Sequence, residues 1–449
     1  ISESNKSLHK DKELYYKEIS KIFGEDGVKK SIIDSIIKPI NHFISDNIKI
    51  MKMPFEVVLD DTFTACIKSM GEVIDPETLS TGETKLINIL ILISYLKLIR
   101  TKKSINILFL DEVFSSVDIE NIDIPLLCDD EILVKISACA ICGTDVKTYR
   151  YGHKDIVFPR ITGHEISGVV TSVGKNIKIY RQGDRVAVAP AIPCGLCYYC
   201  RKGYQSSCEN LKEIGYHYNG GFAEYMVVPA DAVRNGCVNK IPDNLSYQEA
   251  AIAEPLACVI NGQRLSRIEP GDTVLVIGAG PIGCFHAEFA LNTGAGKVIL
   301  ADISSERLKM AEFTGAVLVD MSKQDIKTVV ARMTDGRMAD RVIVAVGLAQ
   351  PQEFALELVA KRGSVNYFGG LPKNTPYINF NSNLLHYGEF FVVGTHGSSP
   401  LHNRIALDMI ASGRIDARKY ITHTFKLTEI KEGLELAEKK AGLKILICP

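Results

Sequence analysis

The chain has 449 residues, of which 46% are hydrophobic and 23% charged, and its formal net charge is -1. This length allows roughly two to four domains with large buried cores. The balanced charge gives no electrostatic basis for binding nucleic acid or an anionic membrane, so neither is an expected partner. We find no N-terminal signal pattern, and no apolar run is long enough to span a bilayer comfortably.

The first part of the chain, residues 1–123, is rich in Ile, Lys, Asn and Ser. The spacing of apolar residues over 9–50 predicts helix, with breaks at Gly24 and Pro39. The run PFEVVLDDTFTACIK alternates like a pair of strands. The run TKLINILILISYLKLI is expected to form a buried helix and INILFL a buried strand.

From about residue 124 to about residue 255 the sequence pattern changes to short predicted strands interrupted by Gly and Pro. The segment DTVLVIGAGPIGCFHAEFALNTGAGKVILADIS then reads as strand, glycine turn, helix and strand. Further apolar strands follow at RVIVAVG, GSVNYFGG and FFVVGTHG, with helical patterns between them. This alternation predicts an α/β fold with a doubly wound parallel sheet.

The glycine turn VLVIGAGPIG follows an apolar strand, opens an apolar helix and completes a G-x-G-x-x-G pattern, which is the context of a dinucleotide site. Gly278 allows the tight turn, Gly280 admits the pyrophosphate and Gly283 permits close packing of helix on strand. We expect Asp302 to accept hydrogen bonds from the ribose hydroxyls and to repel a 2′-phosphate, which favours NAD over NADP. The alternative is a structural glycine turn in another α/β protein. The predicted cofactor-binding residues are Gly278, Gly280, Pro281, Ile282, Gly283, Asp302 and Arg307.

Four of the twelve cysteines lie in one loop with the spacing C-x2-C-x2-C-x7-C. They are Cys194, Cys197, Cys200 and Cys208. Four thiolates satisfy a closed tetrahedral zinc site, which predicts a structural rather than a catalytic metal. An iron–sulfur cluster and a disulfide pair are the alternatives. Together with the absent secretory signal, this use of cysteine predicts a reducing, cytoplasmic location.

A second metal site is suggested by Cys142 and His164, which a strand and a loop separate and which can converge on one ion. Glu254, just before the dinucleotide-binding half, offers an anionic ligand where a cleft between two domains is expected. Spacing alone makes this site only suggestive, because a single histidine is more often a satisfied core or surface residue. Cys258 is either an alternative ligand or a small buried side chain.

The motifs CGTD, GHE, the four-cysteine loop, EPLA and GAGPIG occur in the order seen in zinc-dependent medium-chain alcohol and polyol dehydrogenases. The resemblance covers about residues 125–449 and is strongest to the sorbitol (L-iditol), threonine and sugar-alcohol-phosphate branch. It implies a GroES-like β-rich catalytic domain at 124–258, completed by about 396–449. It also implies a Rossmann NAD-binding domain at 259–395, and a dimer or tetramer.

The resemblance further implies the ligands of a catalytic zinc. Cys142 and His164 bind the metal, and Glu165 and Glu254 supply carboxylate ligation directly or through water. Asp145 does not contact the metal itself but orients its ligand His164.

The implied activity is hydride transfer from a secondary alcohol or polyol to NAD, with Thr144 passing on the substrate's hydroxyl proton. Many alcohol dehydrogenases have a relay histidine where this chain has Lys147, so the proton leaves by another route or Lys147 assists it. The segment from Arg150 to His153 is either a contact for a phosphorylated or polyhydroxylated substrate or a solvated basic loop.

Residues 1–123 carry a second resemblance, through LSTGE, FLDE and SSVD, to the C-terminal lobe of SMC-like recombination ATPases. It implies that Ser80 touches a partner's γ-phosphate, that Asp111 positions magnesium and that Glu112 activates water. No G-x-x-x-x-G-K-[ST] loop is present, so this segment alone is not expected to hydrolyse ATP. The abrupt change near Asp123 predicts a join of two genes. The alternatives to a dehydrogenase are a module that completes a partner's nucleotide site and an inactive fusion.

Overall fold

The computed structural model describes residues 28–50, 56–60, 64–69, 72–74, the single positions 87, 90, 91 and 94, and 122–449 without 154, 158, 373 and 374. The chain divides into two compact units, Ile1–Ser116 and Val117–Pro449. Within the described ranges, every helix is too short or too polar to cross a lipid bilayer.

The first unit contains helix α1 (Val28–Ile50) and strands β1 (Glu56–Leu59), β2 (Ala65–Ser69) and β3 (Glu72–Ile74). The strands form an antiparallel sheet in the order β1-β2-β3, so the alternation in this stretch correctly indicated a pair of strands. Buried isoleucines of α1, including Ile40 and Ile44, pack against Val57 of the sheet. The Asn41 amide exchanges two hydrogen bonds of 2.8 Å with the backbone of Leu59, which fixes helix against strand.

The predicted helix break at Pro39 is wrong, because α1 continues through this residue. Proline inside a helix costs about 3 kcal/mol through its missing N–H and its steric clash. Ile37 and Ile40, on either side of it, are buried, and their burial offsets part of that cost. Ser80, Asp111 and Glu112, with the ATPase resemblance they carry, lie outside the described residues. That resemblance stays a prediction.

The second unit holds most of the secondary structure. Its strands are β4 (Ile132–Ala140), β5 (Glu165–Val173), β6 (Arg185–Val188), β7 (Ala191–Ile192), β8 (Lys212–Glu213), β9 (Tyr225–Val228), β10 (Val238–Lys240), β11 (Thr273–Ile277), β12 (Lys297–Asp302), β13 (Val317–Asp320), β14 (Ala339–Val344), β15 (Val359–Tyr367), β16 (Phe391–Gly394), β17 (Ile421–Lys426) and β18 (Lys444–Cys448). Its helices are α2 (Gly143–Tyr151), α3 (Tyr198–Arg201), α4 (Ala230–Arg234), α5 (Tyr247–Ala251), α6 (Ala253–Ser266), α7 (Pro281–Asn292), α8 (Ser305–Met310), α9 (Ile326–Met333), α10 (Ala349–Ala355), α11 (Ser382–Gly388), α12 (Pro400–Ala411) and α13 (Ile430–Glu438).

The β-rich lobe of this unit is a mixed sheet in the order β10-β6-β5-β4-β18-β17, with β9 also paired to β4. Strand β18 runs antiparallel to β4, with Leu446 opposite Ala140. The last strands of the chain therefore complete a sheet that begins near residue 132. The apolar faces of β4, β5 and β18 form one buried core.

The other lobe is a parallel sheet in the order β13-β12-β11-β14-β15-β16. The strand order reverses between β11 and β14, which is where ligands bind in doubly wound sheets. Both faces of the sheet are covered, because separate buried clusters lie on either side of it. This explains why these strands read as continuous apolar runs in the sequence.

Helix α6 links the two lobes. It begins at Ala253 and ends at Ser266, so the predicted domain boundary after residue 258 falls inside a helix. Farther along, the ring of Tyr420 stacks on Phe285 at 3.8 Å, and its hydroxyl donates to Glu288 at 2.8 Å. These contacts tie the segment that leads into β17 to a helix of the parallel-sheet lobe.

Candidate active site

Three side chains meet where the β-rich sheet ends beside α6. Cys142 is the residue that precedes α2, and His164 and Glu165 lie at the start of β5. Strands β4 and β5 are paired, with Ala140 opposite Glu165. One ligand atom from each of Cys142, His164 and Glu165 lies within 4.8 Å of the others. A thiolate, an imidazole and a carboxylate are the donors of catalytic zinc sites, so this set fits the metal.

Asp145 lies beside the ring of His164, and its predicted role in orienting that ring stays a prediction. Its Oδ1 lies 3.3 Å from His164 Nδ1, and its Oδ2 accepts a hydrogen bond from the Cys142 backbone N–H at 2.8 Å. Nε2 is thereby the ring nitrogen directed away from the carboxylate. Burial opposes the charged imidazolium, but Asp145 and Cys142 outweigh it and hold the pKa of His164 well above its ordinary value.

Glu165 is paired with a buried lysine of the last strand. Lys444 Nζ lies 2.5 Å from Glu165 Oε2 and donates to the backbone carbonyl of Ile141 at 3.0 Å. Burial raises the pKa of Glu165 to about 7, against the attraction of Lys444 and with the repulsion of Glu254. The lysine is therefore a buried counter-charge for the Glu165 carboxylate.

Glu254, in the first turn of α6, is not part of the three-residue ligand cluster found among the described residues. Its Oε1 accepts a hydrogen bond from Cys258 Sγ at 3.2 Å. Burial raises the pKa of Glu254 and the nearby His164 lowers it. The Thr144 hydroxyl lies 3.7 Å from Cys142 Sγ. The roles of Glu254 and Thr144 stay predictions.

The four-cysteine loop brings one ligand atom each from Cys194, Cys197, Cys200 and Cys208 within 4.8 Å of one another. The backbone N–H of Cys194 donates to Cys208 Sγ at 3.2 Å, and that of Cys197 donates to Cys194 Sγ at 3.4 Å. Backbone N–H groups of Leu196 and Cys197 lower the pKa of Cys194 to about 6. Burial instead raises the pKa of Cys200 and of Cys208. The four clustered sulfur atoms have the donor chemistry of a closed zinc site.

The glycine turn joins β11 to α7 at the switch point. Gly278 has φ +108°, a conformation that favours glycine. A Cβ on Gly283 would lie 1.7 Å from the Gly278 carbonyl oxygen, whereas a Cβ on Gly280 would meet nothing within 4 Å. Pro281 occupies the first turn of α7. Gly283 is thus needed for packing, and Gly280 leaves open space before a helix N-terminus. The binding of a pyrophosphate in this space stays a prediction.

Asp302 ends β12 beside this turn. Its carboxylate accepts hydrogen bonds from the backbone N–H groups of Ala279 at 2.7 Å and Ser304 at 2.8 Å. Each carboxylate oxygen keeps a further lone pair for a ribose hydroxyl. Arg307 donates to the Gly442 carbonyl at 3.3 Å, and burial lowers its pKa. The assignment of Ile282, which is partly buried, and of Arg307 to the cofactor stays a prediction.

Two family models match the second unit. The alcohol dehydrogenase GroES-like domain matches residues 128–243, and the zinc-binding dehydrogenase domain matches residues 281–412. Sorbitol dehydrogenase of Bombyx mori is 36% identical over 74% of this chain and 95% of its own length. D-arabitol-phosphate dehydrogenase of Enterococcus avium is 32% identical over 73% of this chain and 92% of its own length. The chain belongs to the zinc-binding alcohol and polyol dehydrogenases.

Solved structures of other dehydrogenases have the same fold as the second unit. One from Sinorhizobium meliloti 1021, bound to NADP, has a TM-score of 0.68 and 32% identity, covering 74% of this chain and 95% of its own. Another, an alcohol dehydrogenase from E. coli CFT073 in complex with NADH, has a TM-score of 0.67 and 30% identity, covering 73% and 94%. The predicted GroES-like and Rossmann architecture of this dehydrogenase is confirmed.

Sequence reasoning missed one residue of the dehydrogenase site. Lys444 follows a glycine and a leucine and opens the apolar run ILIC. A single charge next to a buried strand is a signal for a buried partner, but the sequence does not identify Glu165 as that partner. Arg150, one of the suggested substrate contacts, instead pairs with Glu438 at 2.6 Å on the surface.

Proposed function

We propose that this dehydrogenase transfers hydride from a secondary alcohol or polyol of the sorbitol type to NAD. One observation carries the proposal: ligand atoms of Cys142, His164 and Glu165 lie within 4.8 Å of one another. Their donor chemistry suits an ion that keeps a coordination position for substrate. The glycine turn at the switch point supplies the matching cofactor site.

The chain's own residues have separate tasks in this proposal. Zinc, when bound, acts as a Lewis acid that lowers the pKa of the substrate hydroxyl. Cys142, His164 and Glu165 hold the metal, with Glu254 as an additional carboxylate. Asp145 keeps His164 in the required tautomer, because its Oδ1 lies 3.3 Å from Nδ1. Thr144 accepts the proton of the substrate hydroxyl and passes it toward the solvent.

Asp302 supports NAD as the preferred cofactor. Its carboxylate is held by backbone N–H groups of the glycine turn and of Ser304. A 2′-phosphate at this position would meet like charge. Gly278, Gly280, Pro281, Ile282, Gly283 and Arg307 complete the proposed cofactor contacts.

The proposed assembly is a homodimer or homotetramer. Strand β16 is the last strand of the parallel sheet, and Phe391 on it is exposed. An unpaired edge that carries an aromatic side chain favours pairing with a second copy. Nucleic acid is not a proposed partner, since the net charge is -1.

The proposed location is the cytoplasm. All twelve cysteines are free thiols, as expected in a reducing compartment. We also retain the division into a catalytic domain at 124–258, completed by about 396–449, and a cofactor domain at 259–395. The two separate sheets support it.

The test is NADH formation with sorbitol and with D-arabitol, before and after treatment with a strong chelator. We expect turnover that the chelator abolishes and that zinc restores. The Cys142→Ser variant should lose activity while it still binds NADH, measured by NADH fluorescence. A zinc-loaded protein that binds NADH but oxidises neither polyol would contradict the proposal.

A further inference from the structure

The side chain of Lys444 is enclosed beside the proposed metal ligands, although it belongs to the last strand of the chain. Lys444 is 3% exposed and its partner Glu165 is 1% exposed. A lysine is almost never fully buried unless it is paired. A buried ion pair seldom adds net stability over apolar side chains of the same volume, so stability alone does not account for this lysine.

The ammonium group of Lys444 is fixed by the segment that leads to Cys142. Its Nζ donates to the Ile141 carbonyl at 3.0 Å, and the Ile141 N–H donates to the Ile445 carbonyl at 2.8 Å. Both polar groups of the Ile141 backbone are thus bound by residues of β18. Because Ile141 directly precedes Cys142, the ammonium group has a fixed position relative to the proposed thiolate ligand.

Lys444 engages the two carboxylate oxygens of Glu165 unequally. Its Nζ donates a hydrogen bond to Oε1 at 2.6 Å. Oε2 lies 2.5 Å from Nζ, yet it is buried and accepts no hydrogen bond from any residue in the described part of the chain. A buried carboxylate oxygen without a hydrogen bond costs free energy unless another group binds it. A metal ion would bind it, since a ligand atom of Glu165 lies within 4.8 Å of those of Cys142 and His164.

Two effects of Lys444 on a bound metal oppose each other. Its positive charge repels a second cation at the same carboxylate, and the charge of Glu165, which attracts both cations, offsets that repulsion. Its hydrogen bond to Oε1 fixes the carboxylate before an ion binds, so less conformational entropy is lost on binding. Carboxylates that ligate metals are generally hydrogen-bonded themselves, and the loss of such a partner costs about 10- to 100-fold in metal affinity or activity. The positioning effect therefore outweighs the repulsion.

We propose that Lys444 is a positioning residue of the metal centre: it holds Glu165 through Oε1 and so presents Oε2 to the ion that Cys142 and His164 bind. This inference rests on the proposed dehydrogenase function, because it concerns the metal centre named there. It makes β18 a functional part of that centre, although no residue of β18 is a ligand in the proposal.

The test is the zinc affinity of wild type, Lys444→Met, Glu165→Gln and the double variant. Zinc per protomer is measured by elemental analysis after equilibration with increasing concentrations of a chelator. Cys142→Ser, which lacks a proposed ligand, identifies the release step that belongs to this centre and not to the cysteine loop. Lys297→Met is the matched control, because Lys297 is also partly buried and its Nζ donates to the Met333 carbonyl at 2.7 Å.

We expect Lys444→Met to weaken zinc binding at this centre by about 10- to 100-fold. Zinc release from the cysteine loop and the affinity for NADH should stay as in wild type. Glu165→Gln should also weaken zinc binding, and the double variant should bind zinc no more weakly than Glu165→Gln, because the lysine acts through that carboxylate. Lys297→Met should match wild type.

An unchanged zinc affinity in Lys444→Met would overturn the proposal. Tighter zinc binding would overturn it as well, since the lysine would then compete with the metal for Glu165. A double variant that binds zinc more weakly than Glu165→Gln would show that the lysine acts through the strand and not through the carboxylate. Lys444→Gln, which is shorter by one atom and uncharged, is the second variant if Lys444→Met does not fold. It should lose affinity in the same direction, and wild-type affinity there would count against the proposal.

The two levels of proposal fail differently. If wild type holds both zinc ions and oxidises sorbitol, but Lys444→Met keeps the wild-type zinc affinity, the role of Lys444 fails and the proposed function stands. If wild type and Cys142→Ser hold the same amount of zinc, the metal centre and the inference fall together. If zinc-loaded wild type binds NADH but oxidises neither polyol, the proposed function fails even where Lys444 controls the zinc affinity.

Discussion

Lys444 and Glu165 form a buried ion pair, with Nζ 2.5 Å from Oε2 and both side chains at most 4% exposed. Removing the lysine alone would leave an uncompensated carboxylate in the interior. We expect Lys444→Met to destabilise the second unit by about 3–5 kcal/mol, measured by calorimetric unfolding. The double variant Lys444→Met/Glu165→Gln should recover most of the loss. Lys439→Met, at an exposed position, is the control, and a loss below about 1 kcal/mol in Lys444→Met would contradict the prediction.

The two glycines of the turn should respond differently to alanine. A Cβ on Gly283 lies 1.7 Å from a carbonyl oxygen, whereas one on Gly280 meets nothing within 4 Å. We expect Gly283→Ala to lower the thermal midpoint strongly. Gly280→Ala should keep that midpoint and lose at least about tenfold in NADH affinity, because the methyl group occupies the pyrophosphate's space. Equal thermal midpoints for the two variants would refute the distinction.

The zinc content should report the cysteine loop separately from the catalytic ligands. Cys208 is buried within the four-thiolate cluster. Cys208→Ser should lose about one zinc per protomer, because three thiolates no longer close the tetrahedron. Cys128→Ser, at an exposed cysteine outside either cluster, should keep the wild-type content. Zinc per protomer is measured by elemental analysis. An unchanged zinc content in Cys208→Ser would be evidence against a four-sulfur site.

His286 should make the protein less stable in acid. Burial lowers its pKa to about 3, below the ordinary value of 6.5. Between these values the unfolded chain binds a proton that the folded chain does not, so stability falls as pH decreases from 6.5 toward 3. His286→Leu should flatten this slope in unfolding experiments between pH 4 and 7. His386→Gln, at an exposed histidine, should leave the slope of stability against pH unchanged. An unaltered slope in His286→Leu would exclude His286 as its origin.

Asp302 should set the preference between the two nicotinamide cofactors. Asp302→Asn keeps the side-chain shape and removes the charge that repels a 2′-phosphate. We expect the ratio of kcat/KM for NADP to that for NAD to rise by about tenfold or more. Asp320→Asn, at the end of the neighbouring strand β13, is the control. If Asp302→Asn leaves the ratio as in wild type, the carboxylate does not select the cofactor.

Much of the second unit could be predicted because its signals are local. The glycine turn lies between an apolar strand and an apolar helix, and the four cysteines share one loop. The prediction that Cys142 and His164 converge depended on the resemblance to the alcohol and polyol dehydrogenases. Spacing alone does not show which strands pair. The contact of Tyr216 with His164 joins residues 52 positions apart through a turn of irregular geometry. No periodic pattern encodes such a contact.

At helix α1, in contrast, a local signal led to a wrong prediction. The break at Pro39 followed from local propensity, but the helix continues through this proline, and the burial of Ile37 and Ile40 around it offsets part of the cost. Lys444 was missed for a related reason. The choice of its partner depends on the pairing of β18 with β4, which brings together residues 279 positions apart.

That pairing has a consequence for synthesis on the ribosome. Strand β4 emerges early, but β18, which covers its edge, emerges only after the entire parallel-sheet lobe. Until then, one edge of β4 and the Glu165 carboxylate lack their native partners, and an open strand edge invites association with other chains. The strands of the parallel sheet, by contrast, follow one another along the chain. This lobe can therefore fold before β18 has been synthesised. The nascent protein therefore acquires its nucleotide-binding half before its metal centre is complete.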